Sequence, residues 1–128
     1  MKKFIITIDT EGDNLWNLKD NESIQTENVL FLPRFQKLCE EYNFSPVWLS
    51  NWEMLHDIRY LRFIEDVLGR GVGELGMHLH AWNQPPITKL QERGNTINHT
   101  YLVEYPQSGT HDYLKHAILT FMQHKKLV

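Results

Sequence analysis

Three short apolar segments separated by longer polar and amphipathic stretches predict strands near residues 3–9, 46–50 and 74–79. The first, Phe4–Ile8, is rich in β-branched and aromatic residues, which is typical of a strand buried on both faces of a parallel sheet. Pro46 opens the second strand, and Pro85 and Pro86 prevent the third from continuing. The strand segments are therefore short and separated widely enough for a helix between each pair.

Helical periodicity fills the intervals between these strands. After a polar loop over residues 12–25, a first helix is predicted with Pro33 in its first turn. Its apolar residues recur at helical spacing: Phe31, Phe35, Leu38 and Tyr42. A second amphipathic helix is predicted from Trp52 to about Leu68, and a last one from Thr110 to about Lys125. The order β-α-β-α-β-loop-α predicts an α/β fold with a parallel sheet and helical crossovers.

Composition and charge restrict the class of protein. The chain of 128 residues is expected to form a single domain, residues 1–128. Its net charge of -3 does not suggest nucleic acid as a partner. The apolar run at the N-terminus is far shorter than the roughly 20 residues of a membrane span, so no membrane is expected. The single cysteine, Cys39, is expected in the core and favours a reducing compartment, the cytoplasm.

Ionisable residues cluster where two of the predicted strands end. Asp9 and Glu11 follow the first apolar run, and His78 and His80 follow the third. The carboxyl ends of parallel strands lie on one edge of the sheet, where ligands bind in such folds. Residues two apart on an extended chain point the same way, so the two histidines form a two-point clamp. Imidazole and carboxylate together suit a divalent ion, and zinc is the expected one.

Simpler interpretations of the same residues stay open at this point. The histidines are also compatible with an ordinary turn, and the carboxylates with a solvated acidic loop. An EF-hand calcium loop is excluded, because Asn14 and Asp20 occupy the positions that require glycine and glutamate. Trp48 is expected to pack within the sheet, and His56 is expected at the surface.

The segments "ITIDTEGDNLW" and "ELGMHLHAWNQPP" resemble the first two motifs of the polysaccharide deacetylases, the NodB-homology carbohydrate esterases. The second segment is similar to the form EIGxHLHxWNxPP of the WalW-like branch. The resemblance extends from Lys3 to about Tyr105. It implies a partial (β/α) barrel of about three βα units, and an enzyme that uses a divalent metal to remove N- or O-acetyl groups from a polysaccharide.

The resemblance also implies roles for single residues. Asp9 matches the catalytic base, and Glu11 matches a metal ligand, because Thr10 fills the adjacent position where many members carry a second aspartate. His78 matches the first metal histidine. His80 is the candidate for the second, although the usual spacing is four residues and here it is two. The glycan is expected to contact residues beside the two motifs: Trp16, Trp82 and Asn83.

The later motifs of the family, an arginine that orients the base and a late histidine that acts as acid, have no match after Tyr105. A closed barrel takes about 200 residues or more. We therefore expect a fragment or truncated form with little activity alone. A non-catalytic remnant that binds metal or glycan and self-associates is the alternative. A homo-oligomer is expected, because a partial barrel leaves a strand edge and apolar faces open; His99 or His111 of a partner subunit could then complete the site.

Overall fold

The computed structural model of the protein describes residues 3–17, 22–81, 84, 101–104, 114–119 and 121–123. Its regular elements alternate along the chain in the order strand, helix, strand, helix, strand. The strands are β1 (Thr7–Thr10), β2 (Val47–Ser50) and β3 (Glu74–Met77), and the helices between them are α1 (Leu32–Glu41) and α2 (Ile58–Gly69). Residues 114–119 and 121–123 are also helical, within the predicted last helix.

The three strands form one parallel sheet in the order β1-β2-β3. Ile8, Trp48 and Leu75 lie side by side in one row of this sheet. The predicted α/β class, the parallel sheet and the helical crossovers are confirmed. The barrel of the deacetylase type stays a prediction.

The first strand begins later than its apolar pattern predicts. β1 starts at Thr7, and the side chains of Phe4 and Ile5 are 74% and 71% exposed. The expectation of a strand buried on both faces from Phe4 is therefore wrong. The paired part of β1 is limited by β2, which is only four residues long. As a consequence Asp9 lies inside β1 rather than beyond its end. Of the two acidic residues, Glu11 alone lies outside the strand.

Helix α2 supplies much of the core. Tyr60, Ile64 and Val67 are fully buried and pack with Trp48 of β2, whose predicted burial is confirmed.

Helix α2 does not start at Trp52, so that prediction is wrong. A short 3-10 helix and the extended residue Asp57 precede α2. The Asp57 carboxylate accepts a hydrogen bond from the backbone N–H of Arg59 at 2.7 Å, so it caps a new helix rather than continuing an old one.

The Arg59 guanidinium also contacts the Asp57 carboxylate, at 2.8 Å, and holds the pKa of that carboxyl well below its usual range. Ile58 is 59% exposed. It is the first residue of α2, where the helix has just left the cap.

Helix α1 contains Pro33 in its first turn, as predicted. It turns Gln36 and Cys39 inward, and the predicted burial of Cys39 is confirmed. Gln36 is buried with its amide satisfied: its Nε2 donates to the Val72 carbonyl at 3.1 Å, and its Oε1 accepts from the Trp48 indole at 2.9 Å. Such pairing removes most of the cost of burying an amide. Leu38 is exposed instead, and Phe35 is exposed on one side while its ring contacts Trp48 on the other.

A buried polar network lies between the sheet and α2. Thr10 and Ser50, the last residues of β1 and β2, are 2% and 1% exposed. The hydroxyl of Ser50 is hydrogen-bonded to that of Tyr60, which is fully buried. Burial raises the pKa of Tyr60 to about 12, against the opposing effect of its hydrogen bonds with Ser50 and Thr10. The network ties the carboxyl ends of two strands to α2.

The remaining expectations concern the histidines and the membrane. His56 is exposed, as predicted. His99 and His111 lie outside the described residues. Among the described helices, none is long and apolar enough to cross a membrane.

Candidate metal centre

The pleat of the sheet brings the predicted ligands to one face. The pairing places Asp9 beside Leu49 and Gly76, one row beyond the row of Ile8 and Trp48. Trp48 points toward the helices, where it meets Gln36 and Phe63. Because side chains alternate across a strand, the row of Asp9 points to the opposite face.

The two histidines continue the same alternation past the end of β3. The backbone N–H of His78 donates to the Ser50 carbonyl at 2.8 Å, which extends the ladder by one residue. His78 therefore lies on the same face of the sheet as Gly76. By the same alternation, His80 lies on the face of His78, and Glu11 on the face of Asp9. The convergence follows from parallel strands of equal length that end at the same edge.

The ligand atoms lie close together. Glu11 Oε2 is 3.4 Å from His78 Nε2 and 3.2 Å from His80 Nε2. One ligand atom from each of these residues lies within 4.8 Å of the other two. Two ligands of one tetrahedral zinc ion, each about 2.0–2.1 Å from it, are about 3.3–3.4 Å apart. Glu11, His78 and His80 could therefore hold a metal ion, and the predicted convergence of these residues is observed.

Asp9 adjoins this group on its exposed side. Its Oδ1 is 3.6 Å from His78 Nδ1, whereas Glu11 faces Nε2 of the same ring. The two carboxylates therefore flank His78 from opposite nitrogens. Metal-ligating histidines commonly direct their second nitrogen at a carboxylate, which sets the orientation and tautomer of the ring. The Asp9 side chain is 62% exposed, so it is also open to water and to a ligand.

The burial of His80 suits it to a ligand role. This side chain is 8% exposed, and burial lowers its pKa below the ordinary histidine value. The adjacent His78 lowers it further, while the carboxylates act in the opposite sense. A lowered pKa favours the neutral imidazole, which is the form that binds a metal ion. The His78 and His80 rings contact edge to face, with centroids 4.5 Å apart.

Trp16 contacts two of the three candidate ligands. Its indole N–H donates to Glu11 Oε1 at 2.8 Å, and its ring meets the His80 ring with centroids 5.6 Å apart. Glu11 thus turns one oxygen to the indole and the other to the histidines. The expectation from the sequence was a sugar contact, and the 54% exposure of Trp16 leaves room for one. The contact with Glu11 was not anticipated, because side-chain hydrogen bonds leave no periodic pattern in a sequence.

Three further residues hold the backbone around Glu11. Asn28 Nδ2 donates to the Glu11 carbonyl at 2.6 Å, and Glu53 Oε1 accepts from the Gly12 N–H at 3.3 Å. Asp13 accepts hydrogen bonds from the backbone N–H groups of residues 27 and 28, so it secures the loop rather than a metal. A Cβ at Gly12 would collide with the Ile24 side chain and crowd the Gln25 carbonyl oxygen, so any other residue there would force these neighbours to shift. The sequence did not single out Asn28 or Glu53.

Two predicted glycan contacts, Trp82 and Asn83, lie outside the described residues. Comparison with known proteins adds no relative: no family model, no curated protein and no solved structure matches this chain. The functional assignment of the site therefore depends on its geometry and on the motif resemblance in the sequence.

Proposed function

We propose that this protein is a metal-dependent hydrolase that removes acetyl groups from an N- or O-acetylated polysaccharide. The observation that carries the proposal is a single Glu11 oxygen within 3.4 Å of two imidazole nitrogens, with a second carboxylate beside them. Its position at the carboxyl end of a parallel sheet agrees with the motif resemblance. In this proposal the sheet is part of a deacetylase-type (β/α) barrel, and the ion is zinc.

Each residue of the site has a task in this proposal. A bound divalent ion supplies polarisation of the acetyl carbonyl and a lowered pKa for water. Glu11, His78 and His80 would hold that ion, and the Asp9 carboxylate would accept the proton of the water that attacks the acetyl carbon. That proton would then pass to the departing nitrogen or oxygen of the sugar as its bond to the acetyl carbon breaks. The exposed side chain of Asp9 is accessible for this purpose. The half-exposed ring of Trp16 offers a face on which a sugar could stack.

We further propose that turnover by this chain is low. Asp9 is 62% exposed, so water surrounds the base and competes with a fixed orientation. Misplacement of a reacting group by about 1 Å can cost roughly 100-fold in rate. An open, hydrated cleft also weakens the electrostatic stabilisation of the transition state.

We also propose that the protein works in a reducing compartment, the cytoplasm, because the buried Cys39 thiol is free.

Acetate release from acetylated chito-oligomers and from acetylxylan tests this function. We expect slow release that requires zinc, stops on chelation and resumes when zinc is returned. Asp9→Asn should abolish it while retaining zinc, because the carboxylate charge is lost and the ligands are kept. Asp66→Asn, an exposed change on α2, is the matched control and should behave as wild type.

A second candidate function is metal binding without catalysis, which the exposure of Asp9 also supports. The same assay separates the two. Zinc that binds through His78 and His80, with no acetate released at high protein concentration, would favour the second candidate. A wild-type protein that binds no divalent ion would contradict both.

A further inference from the structure

The two crossover helices use their apolar residues differently. Helix α2 buries its apolar side against the sheet, whereas α1 buries Gln36 and Cys39 there. An apolar row runs along α1 and the residues at its two ends: Phe31, Phe35, Leu38 and Tyr42 are 69%, 40%, 48% and 68% exposed. Of this row, Phe35 also meets the core, through an edge-to-face contact with the Trp48 ring. Monomeric proteins seldom leave such a continuous apolar stripe in water.

The apolar surface continues past the end of the helix. Asn43 adopts a left-handed conformation (φ 59°) that ends α1. The backbone N–H of Phe44 then donates to the Cys39 carbonyl at 2.9 Å, which keeps Phe44 at the helix terminus. Its ring contacts that of Phe4, with centroids 5.6 Å apart, and Phe4 is 74% exposed.

We propose that this apolar row is the interface of a two-fold symmetric homodimer, in which α1 packs antiparallel against α1 of a second copy. The row has the 4-3-4 spacing of a coiled-coil seam. An antiparallel arrangement centred on the row sets Phe31 against Tyr42 of the second copy, and Phe35 against its Leu38. A two-fold interface requires this reciprocity, in which each contact occurs twice.

The charges beside the row indicate which partner fits. Arg34 and Glu41 lie seven residues apart on one side of the row and are both exposed. They line an open groove together with Lys37 and apolar residues of the row. When two copies of α1 run antiparallel, Arg34 of each lies near Glu41 of the other. Lys37, also exposed, lies between these two residues on the same side. The two end charges, Arg34 and Glu41, complement each other under a two-fold rotation. In coiled coils, charges at these flanking positions select the partner and its orientation.

The interface is independent of the metal centre. The row lies on α1, whereas the candidate ligands lie on the face of the sheet that is opposite the helices. Dimerisation therefore leaves the site of each copy accessible. It also gives the expected homo-oligomer a defined surface, which the sequence did not provide.

Charge reversal tests both the surface and its symmetry. Sedimentation equilibrium over a range of micromolar concentrations should show a wild-type dimer. Arg34→Glu and Glu41→Arg should each weaken it by about 10-fold or more, because each places like charges together twice per dimer. An equimolar mixture of the two variants should dimerise again, since a mixed pair restores both opposite-charge contacts. The double variant that carries both reversals should also dimerise.

The controls separate this interface from loss of folding and from other surfaces. Both reversals alter exposed side chains, so circular dichroism and thermal unfolding of the variants should match those of the wild type. Leu38→Glu, in the middle of the row, should abolish the dimer, and Arg62→Glu, exposed on α2, should leave it unchanged.

Three results would overturn the proposal. A wild-type monomer at every concentration would show that the row is not a self-association surface. An oligomer that ignores both reversals would indicate a different surface. Variants that fail to recover when mixed would show that the partner is not an antiparallel second copy, and a complex with another protein or another segment of this chain would then explain the row.

Discussion

At its carboxyl edge, the sheet carries polar residues on both faces, and these residues have different surroundings on the two faces. Thr10 and Glu11 are neighbours in the chain, yet Thr10 points to α2 and Glu11 to the open face. Ser50, at the end of β2, joins Thr10 in a buried network closed by Tyr60. His78, beyond β3, joins Glu11 in a partly exposed group of potential metal ligands.

This difference shows how one sheet edge can serve stability and chemistry at once. On the helix side, hydroxyl groups donate and accept among themselves, and the network excludes water. On the open side, a carboxylate oxygen meets two imidazole nitrogens, a set whose common partner is a cation. The alternation of side chains keeps the two groups apart. Changes on the open face should therefore alter metal affinity alone, and changes on the helix face should alter the free energy of unfolding alone.

Glu11→Gln should produce the largest effect. It keeps the shape of the side chain but removes the charge that faces the histidines, so zinc affinity should fall by more than about 100-fold, the upper end of what outer-shell changes cost. Calorimetric titration measures this. The matched control is Glu65→Gln, exposed on α2, which should bind zinc as the wild type does. Equal affinity in Glu11→Gln and wild type would remove Glu11 from the ligand set.

The helix face should respond to alkaline pH. The folded protein raises the pKa of Tyr60 from 10.0 to about 12, so between these values the unfolded chain loses the phenolic proton and the folded protein keeps it. The unfolded state then binds fewer protons, and the free energy of unfolding falls with rising pH, by roughly 2–3 kcal/mol. Denaturant unfolding of wild type and Tyr60→Phe should show this fall only in the wild type. Parallel pH profiles would contradict the role of the buried hydroxyl.

Trp16→Phe should affect the open face more mildly. It keeps an aromatic ring but removes the N–H that holds Glu11 Oε1, and zinc affinity should fall about 10-fold, as for other changes in groups that orient ligands. Adding Trp16→Phe to the Glu11→Gln variant should lower zinc affinity little further, because the two residues act together. Trp52→Phe is the control at another indole. If Trp16→Phe binds zinc as tightly as the wild type, the indole contact does not position the ligand.

Ser50→Ala should have the smallest effect. It removes one hydrogen bond of the buried network, at a cost of about 1 kcal/mol in the free energy of unfolding. Zinc affinity should not change, because Ser50 faces α2. Ser45→Ala, at an exposed position before β2, should leave both quantities as they are. A loss of zinc binding in Ser50→Ala would show that the two faces are coupled.

Local periodicity was sufficient to predict the order of the elements. Short apolar runs and helical spacing are properties of neighbouring residues, and they predicted three parallel strands with two crossover helices. The same information placed Asp9, Glu11, His78 and His80 at one edge, since parallel strands with helical crossovers end on the same side. Element boundaries were less accurate: β1 began at Thr7, and Asp57 divided the second helix.

The amino-acid pattern alone determined which segments are strands and helices and which ionisable residues meet, because both follow from the period of the backbone and the direction of the chain. Only the tertiary structure decided what each face contacts. Helix α1 has a clear apolar row, yet hydrogen bonds to Trp48 and Val72 allow Gln36 to occupy the core instead. Likewise Trp16 holds Glu11 through a hydrogen bond. Periodicity specifies a face but not its partner, since the partner depends on side chains that only folding brings within reach.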